Sequence, residues 1–323
     1  MRRKRTFLVS VLDWGLGHAT RTSALVWYLR RRGDEVVVAG SGRSLELLRR
    51  DHPTLRSVEL KSFSPELSSG RSQWKKIAMQ VPAFIASIIR EHKALKQIVA
   101  ENGIDVIISD NRYGLWSEER PSYLITHQLR PHIADGAPKL MEKALAWALG
   151  RWEKKFTACL IPDIAGEGLS GELSAPVAGV RARRIGLLSR IAVAEESEPM
   201  GEISRLGIAS GPEPQRSIFI DILTKKFEKE NGRRIILGAA PGEKEIRRIG
   251  GIEIWPHAEA SEMKRMMKDA DEIVCRSGYT TIMDLIAVGR KATLIATPGQ
   301  AEQEYLAKRM KEKFGFNVEE QEI

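Results

Sequence analysis

The chain has 323 residues, 42% of them hydrophobic and 29% charged, with 27 glycines and 14 prolines. This composition is typical of a globular protein and excludes a disordered, collagenous or coiled-coil chain, while the length predicts two domains of about 150 residues each. The net charge of +9 favours an anionic partner, such as nucleic acid, anionic lipid or a phosphorylated small molecule, without choosing among them.

Cysteine and histidine usage argues against a metal or disulfide framework. Cys159 and Cys275 are too few for a four-thiolate zinc site, and the six histidines form no HxxxH pair. The apolar run behind the basic start ends at Asp13, which is too short for a signal-peptide core. No stretch reaches the roughly 20 apolar residues that span a bilayer. We therefore expect a cytoplasmic protein in a reducing compartment, without a structural metal.

In the first half, short β-rich runs alternate with amphipathic helical stretches, which predicts a parallel sheet with helices on both faces. The predicted strands are Phe7–Leu12, Glu35–Ala39, Val106–Ser109, Tyr123–Thr126 and Ala158–Ile161. The predicted helices are Ala19–Arg31, Leu45–Arg50, Trp74–Ala100 and Lys139–Lys155.

Two polar stretches occur at Gly166–Ala182 and Glu195–Glu202, and one of them is expected to contain the domain boundary. For the two domains we take residues 1–185 and 186–323. The alternation then resumes, so the second half is predicted to be another doubly wound α/β domain. Its predicted strands are Ile203–Ala209, Arg234–Leu237, Glu272–Cys275 and Ala292–Ala296. Its predicted helices are Gln215–Glu230, Ser261–Lys268, Thr280–Val288 and Ala301–Lys313. Ligands of such sheets bind at the carboxyl ends of the strands.

The loop after the first strand, Asp13-Trp14-Gly15-Leu16-Gly17-His18, leads directly into a helix. Its small residues let backbone amides approach an anion at the helix N-terminus, although the third glycine of a dinucleotide fingerprint is absent. Histidine exchanges protons near neutral pH, so His18 is predicted to take a proton from a hydroxyl. The alternative is a histidine that caps the start of the helix.

Polar residues also follow two other predicted strands of this sheet, Val106–Ser109 and Tyr123–Thr126. Asp110 is predicted either to orient His18, as a carboxylate fixes one imidazole tautomer, or to bind an acceptor hydroxyl. Alternatively, Asp110 and Asn111 form an Asx turn, and His127 is a structural histidine. The candidate residues of this edge besides His18, Asp13 and Asp110 are Gly15, Gly17, Asn111, Arg112 and His127.

A second anion site is predicted in the second half. Ser210 and Gly211 can present donors to a phosphate between a strand and a helix. Arg216 lies in the first turn of that helix, where a cation opposes the helix dipole unless an anion is nearby, which favours a phosphate there. Arg190, near the expected hinge, is either a further anion ligand or part of an interdomain salt bridge.

The segment from Arg276 to Asp284 is the most informative. It forms a donor-rich strand-to-helix turn, and Asp284 follows Thr280 by four residues, so both lie on one helix face. There the carboxylate can accept from a ribose diol, or alternatively stabilise the helix N-terminus. Thr297–Gln303 supplies amides and a carboxylate suited to sugar hydroxyls, or forms a capping box. The candidates here are Arg276, Ser277, Gly278, Tyr279, Thr280, Thr281, Asp284, Gln300, Glu302 and Gln303.

With these loops the chain resembles nucleotide-sugar glycosyltransferases of the GT-B fold, of the MurG-like kind that includes uncharacterised bacterial and archaeal relatives. The specific matches are Arg276–Asp284 and Thr297–Gln303, and Asp13–His18 resembles the family's glycine-rich acceptor-side loop. This sequence departs from the pattern at Leu16, which interrupts the glycines, and at Pro212-Glu213-Pro214 in the phosphate loop. The resemblance implies two Rossmann-like domains facing across a cleft, residues 1–185 binding the acceptor and 186–323 the donor.

The resemblance also implies a hexosyltransferase reaction that inverts the sugar and needs no metal or other cofactor. His18, or else Asp13, would deprotonate an acceptor hydroxyl that displaces a nucleoside diphosphate from a UDP-linked donor such as UDP-N-acetylhexosamine. The implied contacts are Arg190, Ser210 and Gly211 on the diphosphate, Thr280 and Thr281 on the phosphate side, Asp284 on ribose, and Glu302 and Gln303 on the donor sugar.

The acceptor is expected to carry a hydroxyl, and a lipid-linked or cell-envelope precursor is one candidate. Basic residues at Arg2–Arg5, Arg30–Arg32 and along 75–96 surround apolar positions that can contact anionic lipid at the inner face of the plasma membrane. Those apolar positions are Ile77, Met79, Val81, Phe84, Ile85 and Ile88. The alternative is an ordinary core helix with a solvated basic face.

Three other functions stay open at this point. A nucleotide-sugar 2-epimerase uses a related two-domain fold and the same donor contacts. A catalytically silent sugar-binding relative would keep the donor loops without turnover. A nucleic-acid-binding protein would suit the charge of +9, but the sequence has no zinc finger, RNA-recognition signature or recognition-helix pattern, so we expect no nucleic acid partner.

Overall fold

The structure, a computed structural model, describes residues 3–63, 74–132, 139–196, 198–238, 240 and 245–321. The chain divides into two compact units, the first comprising Met1–Trp14 and His18–Leu188 and the second Gly15–Gly17 and Ser189–Ile323. The division after Leu188 lies three residues beyond the expected boundary at 185/186. That each unit folds as an independent domain stays a prediction.

The first unit is built on a seven-stranded parallel sheet with the strand order β3-β2-β1-β4-β5-β6-β7. Its strands are β1 (Thr6–Val11), β2 (Glu35–Gly40), β3 (Arg56–Glu59), β4 (Val106–Asp110), β5 (Ser122–Ile125), β6 (Ala158–Ile161) and β7 (Ala182–Arg184). Its α-helices are α1 (Leu16–Arg31), α2 (Gly42–Asp51), α3 (Trp74–Asn102) and α4 (Lys139–Glu153).

The central strands of this sheet are buried and mostly apolar because both of their faces are covered. Every residue of β4 is buried, as is nearly all of β1. One core cluster joins Leu8 of β1 and Ile107 of β4 to Leu95 and Ile98 of α3. Continuous apolar runs of this kind are what a parallel sheet between two helical layers requires.

The second unit repeats this architecture, with the strand order β10-β11-β9-β8-β12-β13-β14. Its strands are β8 (Ile203–Ile208), β9 (Arg234–Leu237), β10 (Arg247–Ile249), β11 (Ile252–Trp255), β12 (Ala270–Cys275), β13 (Thr293–Ile295) and β14 (Asn317–Glu319). Its α-helices are α5 (Arg190–Val193), α6 (Gln215–Glu228), α7 (Ala260–Asp269), α8 (Tyr279–Ala287) and α9 (Ala301–Arg309). Only β10 is antiparallel to its neighbour; the other pairs are parallel.

In both sheets the strand order reverses beside the strand that comes first in the chain, between β1 and β4 and between β8 and β12. This order defines a doubly wound sheet, and the carboxyl ends of the strands at the reversal form the crevice where such sheets bind ligands. The predicted α/β class, with two doubly wound sheets, is therefore confirmed.

The strands that the sequence pattern did not predict lie mostly at sheet edges. β7 and β10 are fully exposed three-residue strands, and β3 has only half-buried and exposed positions. Edge strands face solvent and carry charged residues, so they lack the apolar run that identifies a central strand. Their pairing depends on neighbours that are distant in the sequence.

The polar stretch Gly166–Ala182 does not contain the division between the units. Asp163 fixes its beginning, because one carboxylate oxygen accepts from the amide of Leu169 at 2.6 Å and the other from the amide of Ser170 at 3.0 Å. The stretch is therefore a packed part of the first unit.

Three expectations from the sequence concern the cysteines, membrane-spanning helices and the lipid-facing surface. Both cysteines are free and buried, and burial raises the pKa of each thiol to about 12. Among the described residues, no helix combines the length and the apolar character that crossing a bilayer demands. Of the basic and apolar positions assigned to a lipid surface, Arg2 and the side chains of 74–78 lie outside the described residues.

Candidate functional site

The candidate base of the first unit lies at the reversal of strand order. Val11, the last residue of β1, pairs in register with Asp110, the last residue of β4. After β1 the chain turns through Gly15, whose φ of 136° is open to glycine but strained for other residues, and α1 begins at Leu16. His18 therefore lies in the first turn of α1, at the same sheet edge as Asp110.

His18 and Asp110 are in direct contact. The Nδ1 atom of His18 lies 2.8 Å from Oδ1 of Asp110, and Asp110 is completely buried. Arg21, one turn further along α1, donates through Nε to Oδ2 of Asp110 at 2.7 Å and through Nη2 to Oδ1. The sequence-based hypothesis that Asp110 orients His18 is consistent with this geometry, whereas Arg21 was not a predicted site residue.

Arg21 also approaches the histidines themselves. Its Nη2 atom lies 2.8 Å from Nδ1 of His18, and its Nη1 atom lies 3.3 Å from Nδ1 of His127. Thr22 donates its hydroxyl to Oδ2 of Asp110 at 3.1 Å. Asp110 therefore accepts from a guanidinium fork and a hydroxyl while it faces the imidazole.

This environment shifts the pKa of both partners. Burial lowers the pKa of His18, the charge of Arg21 acts in the same direction, and Asp110 opposes them without reversing the shift. Burial alone would raise the pKa of Asp110, but the charges and hydrogen bonds of Arg21 and His18 outweigh it and hold that pKa well below its usual range. At neutral pH the carboxylate is ionised and the imidazole is neutral.

Two other candidates of the first unit have structural partners. Asp13, the alternative base, accepts from the amide of Ser44 at 3.1 Å in the first turn of α2, so its carboxylate stabilises that helix N-terminus. Arg112 is buried and donates to Leu60, Lys61 and Glu91 among others, so its hydrogen bonds connect segments inside the first unit. We therefore favour His18 as the base and leave Arg112 out of the proposed acceptor side.

Asn111 combines two unusual features at the end of β4. It is the one residue other than glycine with a positive φ among the described residues, at 56°, and its buried Oδ1 has no hydrogen-bond partner there. Asparagine tolerates this conformation better than most residues, and such strain often occurs at binding sites. Asn111 therefore stays a candidate acceptor ligand.

In the second unit the loop after β8 differs from its prediction at Arg216. Glu213 lies three residues before Arg216 and accepts from its Nε at 2.8 Å, while its other oxygen accepts from the amide of Ser217 at 3.2 Å. The anion that the helix-dipole argument called for at α6 is thus supplied by the chain itself. Ser210 and Gly211 precede this loop, and both are half-buried.

Arg276 is the most unusual side chain of the second unit. It follows β12, whose last residue, Cys275, pairs with Ile208 at the end of β8. Its guanidinium stacks on Phe219 of α6 at 4.0 Å, and Nη1 donates to the carbonyls of residues 295 and 296. Nε and Nη2 are buried and have no hydrogen-bond partner among the described residues. Burial lowers the pKa of Arg276 to about 10, so it remains a cation.

Asp284 lies on α8 and is nearly fully buried. Burial raises its pKa to about 7, against the smaller opposing effects of a hydrogen bond with Ser189 and the charge of Arg190. Its Oδ1 atom has no hydrogen-bond partner among the described residues. The structure therefore brings together Asp284 and Arg190, which the sequence analysis assigned to one donor site, and adds Ser189, which it did not predict.

Some of the remaining donor-side candidates hold the loop before α9 in place, and others are half-buried. Ser277 donates to the carbonyl of Gln303 at 2.8 Å, and Oε1 of Gln303 accepts from the amide of Thr297 at 2.8 Å. These contacts fix the loop before α9. Gly278 precedes α8, and the half-buried residues are Gly278, Thr280, Gln300 and Glu302, whereas Tyr279 and Thr281 are buried.

Neither Arg21 nor Glu213 was identified from the sequence, although each had a signal. Arg21 follows His18 by three residues on the same helix, which places both on one face. Glu213 precedes Arg216 by three residues at a helix start, where a carboxylate stabilises the helix dipole. For both, the missing information was which groups of other elements they face.

The comparisons with known proteins agree with this architecture. Residues 252–323 match the family model "Glycosyltransferase family 28 C-terminal domain". The glycotransferase of kitacinnamycin is 13% identical with a TM-score of 0.64, covering 100% of this chain and 87% of that one. The chain has the GT-B fold of these glycosyltransferases, and its C-terminal part matches a glycosyltransferase family. Among curated proteins, none matches this chain.

Two further solved structures share the fold of this chain. UGT89C1 of Arabidopsis thaliana, complexed with UDP-L-rhamnose, is 14% identical with a TM-score of 0.63 and covers 99% of this chain and 86% of that one. Acinetobacter baumannii MurG is 12% identical with a TM-score of 0.56 and covers 98% and 86%. The predicted GT-B fold is confirmed, and the match of residues 252–323 supports the predicted MurG-like family and the prediction of an enzyme. Donor, acceptor and stereochemistry stay predictions.

Proposed function

We propose that this glycosyltransferase moves a hexose from a UDP-linked donor, such as UDP-N-acetylhexosamine, to a hydroxyl acceptor with inversion. The observation that carries the proposal is the buried guanidinium of Arg276 at the carboxyl edge of the second sheet, whose Nε and Nη2 have no hydrogen-bond partner among the described residues. A buried cation without a counter-ion is costly, and the diphosphate of a donor would compensate it.

Asp284 supports a nucleoside on the donor side. Its unpaired, buried oxygen can accept a hydrogen bond from a ribose hydroxyl, which would remove the cost of leaving that oxygen unsatisfied. UGT89C1, which shares the fold, is complexed with UDP-L-rhamnose. A uridine nucleotide is therefore the first donor class to test, with Ser210, Gly211 and Arg190 as further diphosphate contacts.

His18 is the proposed base. With Nδ1–H donating to ionised Asp110, the lone pair of Nε2 is available to accept the proton of an acceptor hydroxyl. The attacking oxygen forms the new bond to the anomeric carbon while the bond to the diphosphate breaks, and the leaving group carries the electron pair away. Attack from the face opposite the leaving group inverts the sugar.

We propose that cationic side chains and helix N-termini, without a metal, stabilise the leaving diphosphate. Within the described ranges, no three His, Cys, Asp or Glu side chains converge as metal ligands. Addition of a chelator is expected to leave turnover unchanged.

A lipid-linked acceptor at the inner face of the plasma membrane is the second part of the proposal. Val81, Ile85 and Ile89 recur every four residues on one face of α3, and all three are exposed. The exposed basic residues Arg90 and Lys93 follow them. Phe84 and Ile88 instead pack in the core, so α3 has both an internal apolar face and an external one. Flotation with liposomes that contain anionic lipid is expected, and absence of flotation would contradict membrane contact.

The test of the transferase is the release of UDP from a panel of UDP-sugars, with a bacterial lipid extract and soluble sugars as acceptor pools. His18→Ala is expected to lower turnover by about 100-fold or more while donor affinity is unchanged. His132→Ala, a partly exposed histidine of the same unit, is the matched control and should retain activity. Unchanged turnover in His18→Ala would refute the base, and conversion of the donor without any acceptor would identify an epimerase instead.

A further inference from the structure

The His18–Asp110 pair contains a third buried member, Arg21. A pair made only of imidazole and carboxylate has a net negative charge when the imidazole is neutral, so it attracts a proton to the histidine. Here the guanidinium of Arg21 forms a fork on the carboxylate, with Nε on Oδ2 at 2.7 Å and Nη2 on Oδ1. Both partners of this fork are almost completely buried, so water screens their charges little.

We propose that Arg21 is a positioning residue that keeps Asp110 ionised and His18 neutral, with Nδ1 of the imidazole held on the carboxylate. The fork cancels the charge of Asp110 within the cluster, so the imidazole faces a neutral pair. Oδ1 of Asp110 lies 2.8 Å from Nδ1 of the imidazole, and in the Nδ1–H tautomer it accepts from that nitrogen and fixes the ring orientation. Arg21 acts through Asp110 and is not expected to contact substrate.

The surroundings of His18 support this role. The titratable groups that influence its pKa are Arg21 of α1, Asp110 at the end of β4 and His127 after β5. Arg21 contacts all three of the other members, because Nη1 also lies 3.3 Å from Nδ1 of His127. The charge of His127 beside the same guanidinium also disfavours protonation of His18, which again keeps this imidazole neutral.

The arrangement has a consequence for proton transfer. A neutral imidazole can accept a proton from an acceptor hydroxyl over the whole neutral pH range. Once protonated, the imidazolium lies beside the cationic Arg21, with Nη2 2.8 Å from Nδ1, and therefore releases its proton readily after the reaction. This role deepens the proposed function and rests on it, although the charge state itself can be measured without any substrate.

The test is an NMR titration of the His18 imidazole in the ¹⁵N-labelled full chain, assigned with His18→Gln. In Arg21→Gln the carboxylate loses its counter-charge, so the midpoint of His18 is expected to rise by at least one pH unit, a tenfold change in proton affinity. In Arg21→Lys the charge is kept, and the midpoint should remain near that of the wild type. Thr22→Val, which removes an uncharged donor to Oδ2, is the matched control and should not shift it.

An unchanged midpoint in Arg21→Gln would overturn the proposal. If that variant does not fold, the proposal is tested with Arg21→Lys, in which the ¹⁵N chemical shifts of the His18 ring report its tautomer. Lysine cannot form the fork, so the single Nδ1–H tautomer should give way to a mixture, and an unchanged single tautomer would overturn the proposal. Because these readouts need no donor or acceptor, failure of the proposed transferase activity leaves them interpretable.

Discussion

Buried carboxylates of this chain differ in what surrounds them. Asp110 has a guanidinium fork, whereas Glu153, at the end of α4, is 1% exposed and neither of its oxygens has a hydrogen-bond partner among the described residues. Burial raises the pKa of Glu153 to about 8. The buried residues around it belong to an apolar cluster, in which its charge also raises the pKa of Tyr113 and Cys159.

We predict that Glu153 makes the protein less stable as pH rises. Below a pH of about 4.5 both the folded and unfolded states are protonated at this residue, so it has no effect. Between there and about pH 8 the unfolded state ionises while the folded state keeps its proton, which lowers the free energy of unfolding by about 3 kcal/mol at pH 7. Above pH 8 both states are ionised at this residue, so the loss in free energy of unfolding no longer changes with pH.

Glu153→Gln should remove this dependence and unfold at higher urea concentration than the wild type at pH 8. Urea titrations from pH 4 to pH 9 measure it. The control is Glu142→Gln on the same helix, whose side chain is one-third exposed and which should follow the wild type. A Glu153→Gln variant with the same pH profile as the wild type would show that the carboxyl is solvated in solution.

At the residue scale, the sequence predicted which residues of the first unit carry its chemistry better than it predicted the contacts between their side chains. His18 and Asp110 could be proposed because Asp110 directly follows a predicted strand, His18 ends the loop after another, and parallel strands end at one sheet edge. Arg21 could not, since its role depends on a carboxylate 89 residues away in the sequence. For Arg112, the residue type suggested a substrate ligand. Its hydrogen-bond partners lie on three other segments, so it holds these segments together instead.

Among the elements, α6 has an N-terminus that the chain itself satisfies. Its first amides are engaged, because that of Arg216 donates to Pro212, that of Ser217 to Glu213 and that of Ile218 to Pro214. Glu213 and Arg216 are ion-paired in the same turn. A donor phosphate at this position would have to replace the carboxylate of Glu213.

Glu213→Gln is therefore expected to bind UDP about three- to tenfold more tightly at low salt, because it removes a like charge from the phosphate position and releases Arg216. The gain should shrink at high salt. Calorimetry on both proteins measures it. Glu319→Gln breaks an ion pair with Lys226 in the same unit and serves as the control. Weaker binding in Glu213→Gln would mean that Glu213 supports the donor site instead.

Elements with apolar runs were predicted within about three residues, as β4 and α8 illustrate, because burial on both faces leaves a local signal. The polar edge strands β7 and β10 had no such signal. The short helix α5 also could not be predicted from periodicity, since its four residues span about one turn and are fixed by the cap at Ser189.

Over the whole molecule, two units of the same topology carry different chemistry at equivalent sheet edges. The first unit ends β1 and β4 in a neutral imidazole and a compensated carboxylate. In the second unit the guanidinium of Arg276 follows β12, and its Nε and Nη2 have no hydrogen-bond partner within the described part of the chain. A net charge of +9 alone did not distinguish a nucleotide sugar from nucleic acid or lipid, but the buried position of Arg276 favours a small anion that can enter the sheet edge.

The most direct test of the account is the thermal stability of the protein with nucleoside diphosphates, compared between the wild type and Asp284→Ala. At 100 times its Kd, UDP should stabilise the wild type by about 2.7 kcal/mol, with a clear rise in Tm. The rise should be lost in Asp284→Ala and kept in Asp221→Ala, an exposed aspartate on α6. No rise with any nucleoside diphosphate would contradict the donor site.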